Sequence, residues 1–254
     1  TRPARAPASR PPAPEGRLVS ELAIAFDLPS LEAALALDAR LGAGPEYAKV
    51  GLQLFTAAGP EAVRALKARG RRVFLDLKLH DIPNTVKGAA GEAARLGADL
   101  LTVHATGGGD MIAAAVDGIR GAGGNTQVVA VTLLTSLDPQ RLPPGFEQPF
   151  PLHRRIADLL ALAENAGARG IVCSPGDLEG VRAHHPAPFY AVTPGIRPAG
   201  GDAHDQKRVA TVSEAVALGA SLLVLGRAVT AAADPAAALA ACRAERDSAS
   251  ATRA

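Results

Sequence analysis

Residues 72–87 read RVFLDLKLHDIPNTVK, an apolar run that takes on charge at its far end. Val73, Phe74, Leu75, Leu77 and Leu79 have the composition of a buried strand, and Asp76 and Lys78 are set into it. Side chains alternate across a strand, so residues two apart face the same way and Asp76 and Lys78 are expected on one interior face. Asp81 lies five residues past Asp76, out of that phase, and is expected on a loop. Pro83 marks the break: it has no N–H, it biases the residue before it away from helix, and it suits the first turn of a new helix at about 84–96. A buried ion pair is weak support for stability, because removing both charges from water offsets much of their attraction. The pair therefore reads either as a neutralised plug in a core or as a proton-transfer site.

Outward from this stretch, apolar strand-like runs alternate with helix-like ones eight times from Leu18 onward. Strands are expected at 20–26, 46–51, 72–79, 98–104, 126–133, 169–173, 188–193 and 220–225. Helices are expected at 30–42, 60–69, 84–96, 109–121, 152–166, 176–184, 211–218 and 231–245. Spacing supports the helices: Leu152, Ile156, Leu159, Leu160 and Ala163 form one stripe, and Val86, Ala89, Ala90, Ala93 and Leu96 another. Gly70, Gly97, Gly167 and Gly219 stand where left-handed terminators belong. Eight such units over residues 17–246 predict an α/β fold, a (β/α)₈ TIM barrel. A doubly wound open sheet is the runner-up, and no G-x-G-x-x-G follows the first strand. Residues 1–16 hold five prolines and three arginines without apolar periodicity and are expected to be a disordered tail. Residues 247–254 are small and polar and are expected to fray.

Composition narrows the function classes. With 27 basic and 25 acidic residues the formal charge is +2, too balanced for a broad nucleic-acid or membrane surface, so any phosphate must be held locally. Cys173 and Cys242 are far apart and belong to no ligand spacing, which predicts reduced structural thiols. No apolar run reaches the roughly 18 residues of a membrane span, and the expectation is a soluble, cytoplasmic protein.

The C-terminal ends of barrel strands form the active face, which lets distant residues be collected into one site. The first strand ends in Asp27, the second carries Lys49, and the third supplies Asp76 and Lys78. Four alternating charges in one small volume are hard to explain as packing, since each would have to be desolvated. His104 ends the fourth strand and on its own reads as a satisfied structural group. Arg197 follows the seventh strand in TPGIR, and Gly226 and Arg227 follow the eighth in LVLGR. The loops after strands seven and eight are the usual phosphate site of such barrels, and arginine adds bidentate recognition. Between them, PAGGDAHDQKR at 198–208 is long, polar and aperiodic, as a lid would be.

DLKLHDIPNT carries an Asp-x-Lys-x-x-Asp pattern and, with TPGIR and the terminal GR, resembles the orotidine 5′-phosphate decarboxylase family, in its bacterial form, over about residues 18–245. The resemblance implies decarboxylation of orotidine 5′-phosphate to UMP in pyrimidine biosynthesis without metal or other cofactor. It gives Lys78 the role of stabilising and protonating a C6 carbanion, Asp76 that of holding Lys78, and Asp27 and Lys49 roles at the ribose hydroxyls and in the charge network. It places Ser136 on the pyrimidine and Gln206 in the lid, bridging phosphate and base, with Arg197, Gly226 and Arg227 at the phosphate. It also implies a homodimer in which Asp81, Ile82 and Thr85 enter the neighbouring subunit's site. Two other readings stay open. One is a Mg²⁺-dependent sugar-phosphate decarboxylase or aldolase on the same barrel, with Asp76 and His104 as ligands. The other is a non-catalytic nucleotide-binding barrel in which Lys78 is dispensable.

Overall fold

The computed structural model describes residues 20–134, 141, 151–187, 189–197 and 210–252. Ser136, Gln206, the 198–208 segment and the 1–16 tail lie outside the described residues.

The apolar runs become strands β1 (Glu21–Ala25), β2 (Tyr47–Gly51), β3 (Arg72–Leu79), β4 (Leu100–His104), β5 (Gln127–Val131), β6 (Gly170–Val172) and β7 (Tyr190–Arg197). A two-residue β8 (Ala210–Thr211) and then β9 (Leu222–Leu225) complete the set among the described residues. The first half of the chain supplies helices α1 (Leu31–Arg40), α2 (Leu52–Ala58), α3 (Pro60–Ala68), α4 (Pro83–Arg95) and α5 (Gly109–Gly121). The second half adds α6 (Leu152–Asn165), α7 (Leu178–His184), α8 (Val212–Ala217), α9 (Arg227–Thr230) and α10 (Pro235–Thr252).

Every strand pairing is parallel, each of β1 to β7 pairs with the next, and β9 lies between β7 and β1. The sheet therefore closes into an eight-stranded barrel, with β8 appended to the end of β7. This is the (β/α)₈ barrel that the alternation predicts. The period of two sorts its residues: Ala23, Phe74, Leu100, Val129 and Leu222 pack together in one cluster, while their neighbours Leu22, Leu75, Leu101, Val128 and Leu223 pack in a second with the helices. At the N-terminal mouth the Arg72 guanidinium stacks 4.1 Å from the Tyr47 ring centroid and pairs with Glu21, which also accepts from the Tyr190 hydroxyl at 2.8 Å. Burial raises the pKa of both phenols, so the Tyr47 and Tyr190 hydroxyls stay protonated in this polar stopper.

The terminators behave as expected: Gly70, Gly97, Gly167 and Gly219 have φ of 78°, 79°, 88° and 90°. Pro83 opens α4 in its first turn. Other features differ from the expectation: β7 runs on to Arg197 where an end at 193 is expected, and the two-residue β8 is additional. The short helices α2 and α9 were not anticipated, because seven and four residues are too few to establish a stripe. The last helix runs to Thr252 where a frayed end from 247 was expected. Ala249 packs against the core cluster and the Thr252 hydroxyl donates to Ser248 O at 3.2 Å, so the helix continues past the anchors before it, buried Leu239 and Cys242 and the Arg246–Glu46 pair at 2.8 Å. Cys173 and Cys242 are both free and buried, and burial pushes their thiols up to about 12 and about 11. No helix among the described residues is long and apolar enough to cross a membrane.

Candidate active site

Three neighbouring strand ends deliver the charges. Lys49 on β2 lies between two carboxylates, donating to Asp27 Oδ1 at 3.1 Å and facing Asp76 Oδ2 at 3.4 Å. Lys78 Nζ donates to Asp76 Oδ1 at 2.8 Å, so the four groups form a chain in the order Asp27, Lys49, Asp76, Lys78. They are not all desolvated as the sequence argument supposes. The Lys49 and Asp76 side chains are 9% and 12% exposed, whereas Asp27 is 52% exposed and Lys78 29%, so the ends of the chain are wet and only its centre is dry.

Asp76 and Lys78 do meet, but not by regular alternation. The ladder between β3 and β4 breaks between Leu75 and Leu79, and Lys78 has φ of 50°, the one positive value at a non-glycine among the described residues. The lysine is thus presented from a bulge. Asp76 also accepts from the Thr102 hydroxyl at 3.0 Å. Burial alone would raise the Asp76 pKa, but Lys49, then Lys78 and the hydrogen bonds from Lys78 and Thr102, outweigh it and hold the carboxyl below its ordinary range.

These groups line a cleft of about 570 Å³ whose floor includes Phe74, Val172, Val192 and Val224. Arg197 at the end of β7 and Gly226 and Arg227 after β9 line the same cleft. The seven residues Asp27, Lys49, Asp76, Lys78, Arg197, Gly226 and Arg227 are thereby brought together from five strands, as expected of this face. Asp81, Ile82 and Thr85 are not among the residues lining this cleft. They sit exposed at the start of α4, with Ile82 67% exposed, and Asp81 accepts from the Ile82 N–H at 2.7 Å. The His104 ring lies 5.3 Å from that of His80 and does not line the cleft; burial lowers its pKa, and His80 and Lys78 lower it further. Among the described residues no group of three or more His, Cys, Asp or Glu is placed to hold a metal ion.

The family model described as "Orotidine 5'-phosphate decarboxylase / HUMPS family" matches residues 20–242. The chain belongs to this family. Among curated relatives, orotidine 5′-phosphate decarboxylase of Cutibacterium acnes is 49% identical over 215 residues, covering 85% of this chain and 91% of the relative. The protein of that name from Anaeromyxobacter sp. strain K is 52% identical over 215 residues, covering 84% and 92%. A solved structure titled as orotidine 5′-phosphate decarboxylase from Lactobacillus acidophilus aligns with a TM-score of 0.79 at 35% identity, covering 90% of this chain and 99% of that one.

Within this family member's own geometry, three residues at or beside the site have no counterpart in the sequence reading. Gln53 lines the cleft from the first turn of α2. Gly51 leaves open the space that the Asp27 and Lys49 side chains occupy, where a Cβ would meet both. Thr102 bonds Asp76 from β4, and the one available signal was a polar residue inside the apolar run LLTVH.

Proposed function

We propose that the cleft decarboxylates orotidine 5′-phosphate to UMP, with Lys78 as the catalytic acid and no metal. The observation that carries this reading is the dry Lys49–Asp76 pair holding the partly exposed Lys78 in one cleft with two arginines. Two carboxylates, two ammoniums and two guanidiniums leave the lining cationic, which suits a substrate carrying a carboxylate and a phosphate of roughly two negative charges. Membership of the family and relatives about half identical that bear the name of this activity support the same reading.

The chemistry follows from the charge order. The bond from C6 to the carboxylate breaks, carbon dioxide leaves, and the electron pair remains in an sp² orbital that the ring cannot delocalise. Lys78 stabilises that developing charge and delivers a proton to C6, effects largest in the transition state; the amine then regains a proton from solvent. Asp76 holds Lys78 at 2.8 Å and accepts no proton, in keeping with its lowered pKa. Lys49 balances Asp76 and steadies Asp27, which meets the ribose hydroxyls. Arg197 and Arg227 grip the phosphate beside Gly226. Ser136 contacts the pyrimidine and Gln206 bridges base and phosphate in the same proposal. Asp81, Ile82 and Thr85 serve the partner's cleft in a homodimer, which their exposure on one chain supports. A cytoplasmic setting belongs to the same reading, supported by two free, buried thiols.

The metal-dependent reading is less favoured, because the Asp76 oxygens are already engaged by Lys78, Thr102 and Lys49. The deciding experiment follows the absorbance of orotidine 5′-phosphate in excess chelator with the native chain and with Lys78→Ala. Turnover that survives the chelator and disappears in the variant is expected. Loss on chelation would favour the metal-dependent reading, and binding without turnover would favour a binding module.

A further inference from the structure

A strand residue normally finds its N–H partner in the neighbouring strand's backbone. Lys78 has lost that option. Leu75 is paired with Leu101 and Leu79 with Val103, so an advance of four residues on β3 is matched by two on β4 and the extra residues bulge. Opposite the bulge stands Thr102, fully buried at 0% exposure. Its Oγ1 accepts from the Lys78 N–H at 2.8 Å, taking the place of the missing ladder partner. A backbone N–H can only donate, so the hydroxyl's single hydrogen is left to donate elsewhere, and Asp76 Oδ1 accepts it at 3.0 Å. The same Oδ1 accepts from Lys78 Nζ at 2.8 Å. The path from Lys78 N through Thr102 and Asp76 to Lys78 Nζ is therefore a closed ring that ties the lysine's backbone to its own ammonium.

We propose that Thr102 is a positioning residue for decarboxylation: its hydroxyl fixes the Lys78 bulge and the Asp76 carboxylate in one arrangement, so that the ammonium is presented to the cleft at a set height. The assignment rests on the reading of Lys78 as catalytic acid. A hydroxyl buried merely to satisfy itself would bond one nearby carbonyl, as Thr126 does with Ala98 O at 2.6 Å. Thr102 instead joins a backbone N–H that has left its ladder to a carboxylate that must stay ionised. Substrate does not have to touch Thr102 for this to act, so its loss falls on kcat and leaves KM nearly unchanged.

The test measures kcat, KM and their pH profiles for orotidine 5′-phosphate with Thr102→Val, Thr102→Ser, Thr102→Ala and Lys78→Ala, with circular dichroism as the check on folding. Removing a hydrogen bond to a charged group predicts that Thr102→Val lowers kcat by about 10- to 100-fold with KM within about threefold. The acid limb of kcat moves to higher pH as Asp76 loses a donor, and Thr102→Ser recovers most of both. A folded Thr102→Val with native kcat and acid limb overturns the proposal. If the valine variant does not fold, serine and alanine decide it, since they differ only by the hydroxyl; equal impairment of the two overturns the proposal. Turnover retained by Lys78→Ala would overturn the reading of Lys78 itself, whereas an inactive Lys78→Ala beside an unaffected Thr102→Val removes only the role of Thr102.

Discussion

Gly51 stands directly behind Asp27: a Cβ on Gly51 would lie 2.5 Å from Asp27 Oδ1, and 3.0 Å from Lys49 Nζ. Gly51 has φ of −94°, open to any residue, so its requirement is space and not backbone freedom. Gly51→Ala is expected to push Asp27 off Lys49 and raise KM for orotidine 5′-phosphate by about tenfold, the worth of one hydrogen bond. Thermal unfolding should change little. Gly121→Ala, where nothing lies within 4 Å of the added methyl, is the control. Equal KM values in the two variants would separate Asp27 from substrate binding.

The lowered pKa of Asp76 has a definite sign in stability. Burial opposes ionisation, but Lys49, Lys78 and Thr102 outweigh it, so the folded chain binds this proton less readily than the unfolded chain. The contribution is complete above the ordinary value of 3.8 and is lost as pH falls through the lower folded value. Denaturant midpoints of the native chain and Asp76→Asn should therefore differ by a constant amount from about pH 7 to about pH 5 and converge only in stronger acid. Convergence already at the upper end of that range would contradict the lowered value.

Arg197 is buried at the end of β7, whereas Arg227 is exposed where α9 begins. If both grip phosphate, alanine at either should raise KM for the nucleotide by about 10- to 100-fold, as the loss of a charge-assisted contact does. Slow turnover of the nucleoside orotidine should be untouched by Arg227→Ala. Parallel losses on nucleotide and nucleoside would assign Arg227 to something other than the phosphate.

Asp81 is exposed on a single chain, and in the proposed homodimer with shared sites its loss would be repairable by a partner. Asp81→Ala and Lys78→Ala are each expected to be nearly inactive, yet their mixture after subunit exchange should reach about a quarter of native activity. Half of the random pairs are hybrids, and each hybrid has one intact site. No recovery despite demonstrated exchange would place Asp81 in its own chain's cleft or outside catalysis. An Ile82→Asp variant should weaken self-association on sizing, because an apolar side chain 67% exposed on one chain would gain its burial from the second.

The barrel was legible because parallel strands are covered on both faces and so read as unbroken apolar runs. β1, β2, β3 and β4 lie within one or two residues of their expected positions for that reason. The charges were legible as well: Asp27, Lys49, Asp76 and Lys78 stand out because ions interrupt or end apolar runs, although water is largely removed only from Lys49 and Asp76. Arg197 and Arg227 stood out by position, after the seventh and eighth runs. The short helices α2 and α9 were not legible, since they carry too little periodic signal.

By itself, then, the sequence determined which residues are apolar on two faces, how many units alternate, and which charged residues end the strands. Only the tertiary structure decided that Lys78 leaves the ladder at φ of 50°, that Thr102 catches its N–H, and that Gly51 leaves room for Asp27. Local patterns follow from the properties of neighbouring residues along the chain. The register between β3 and β4 and the clearance around Asp27 depend on groups about 25 residues apart, whose positions are set by closing the barrel.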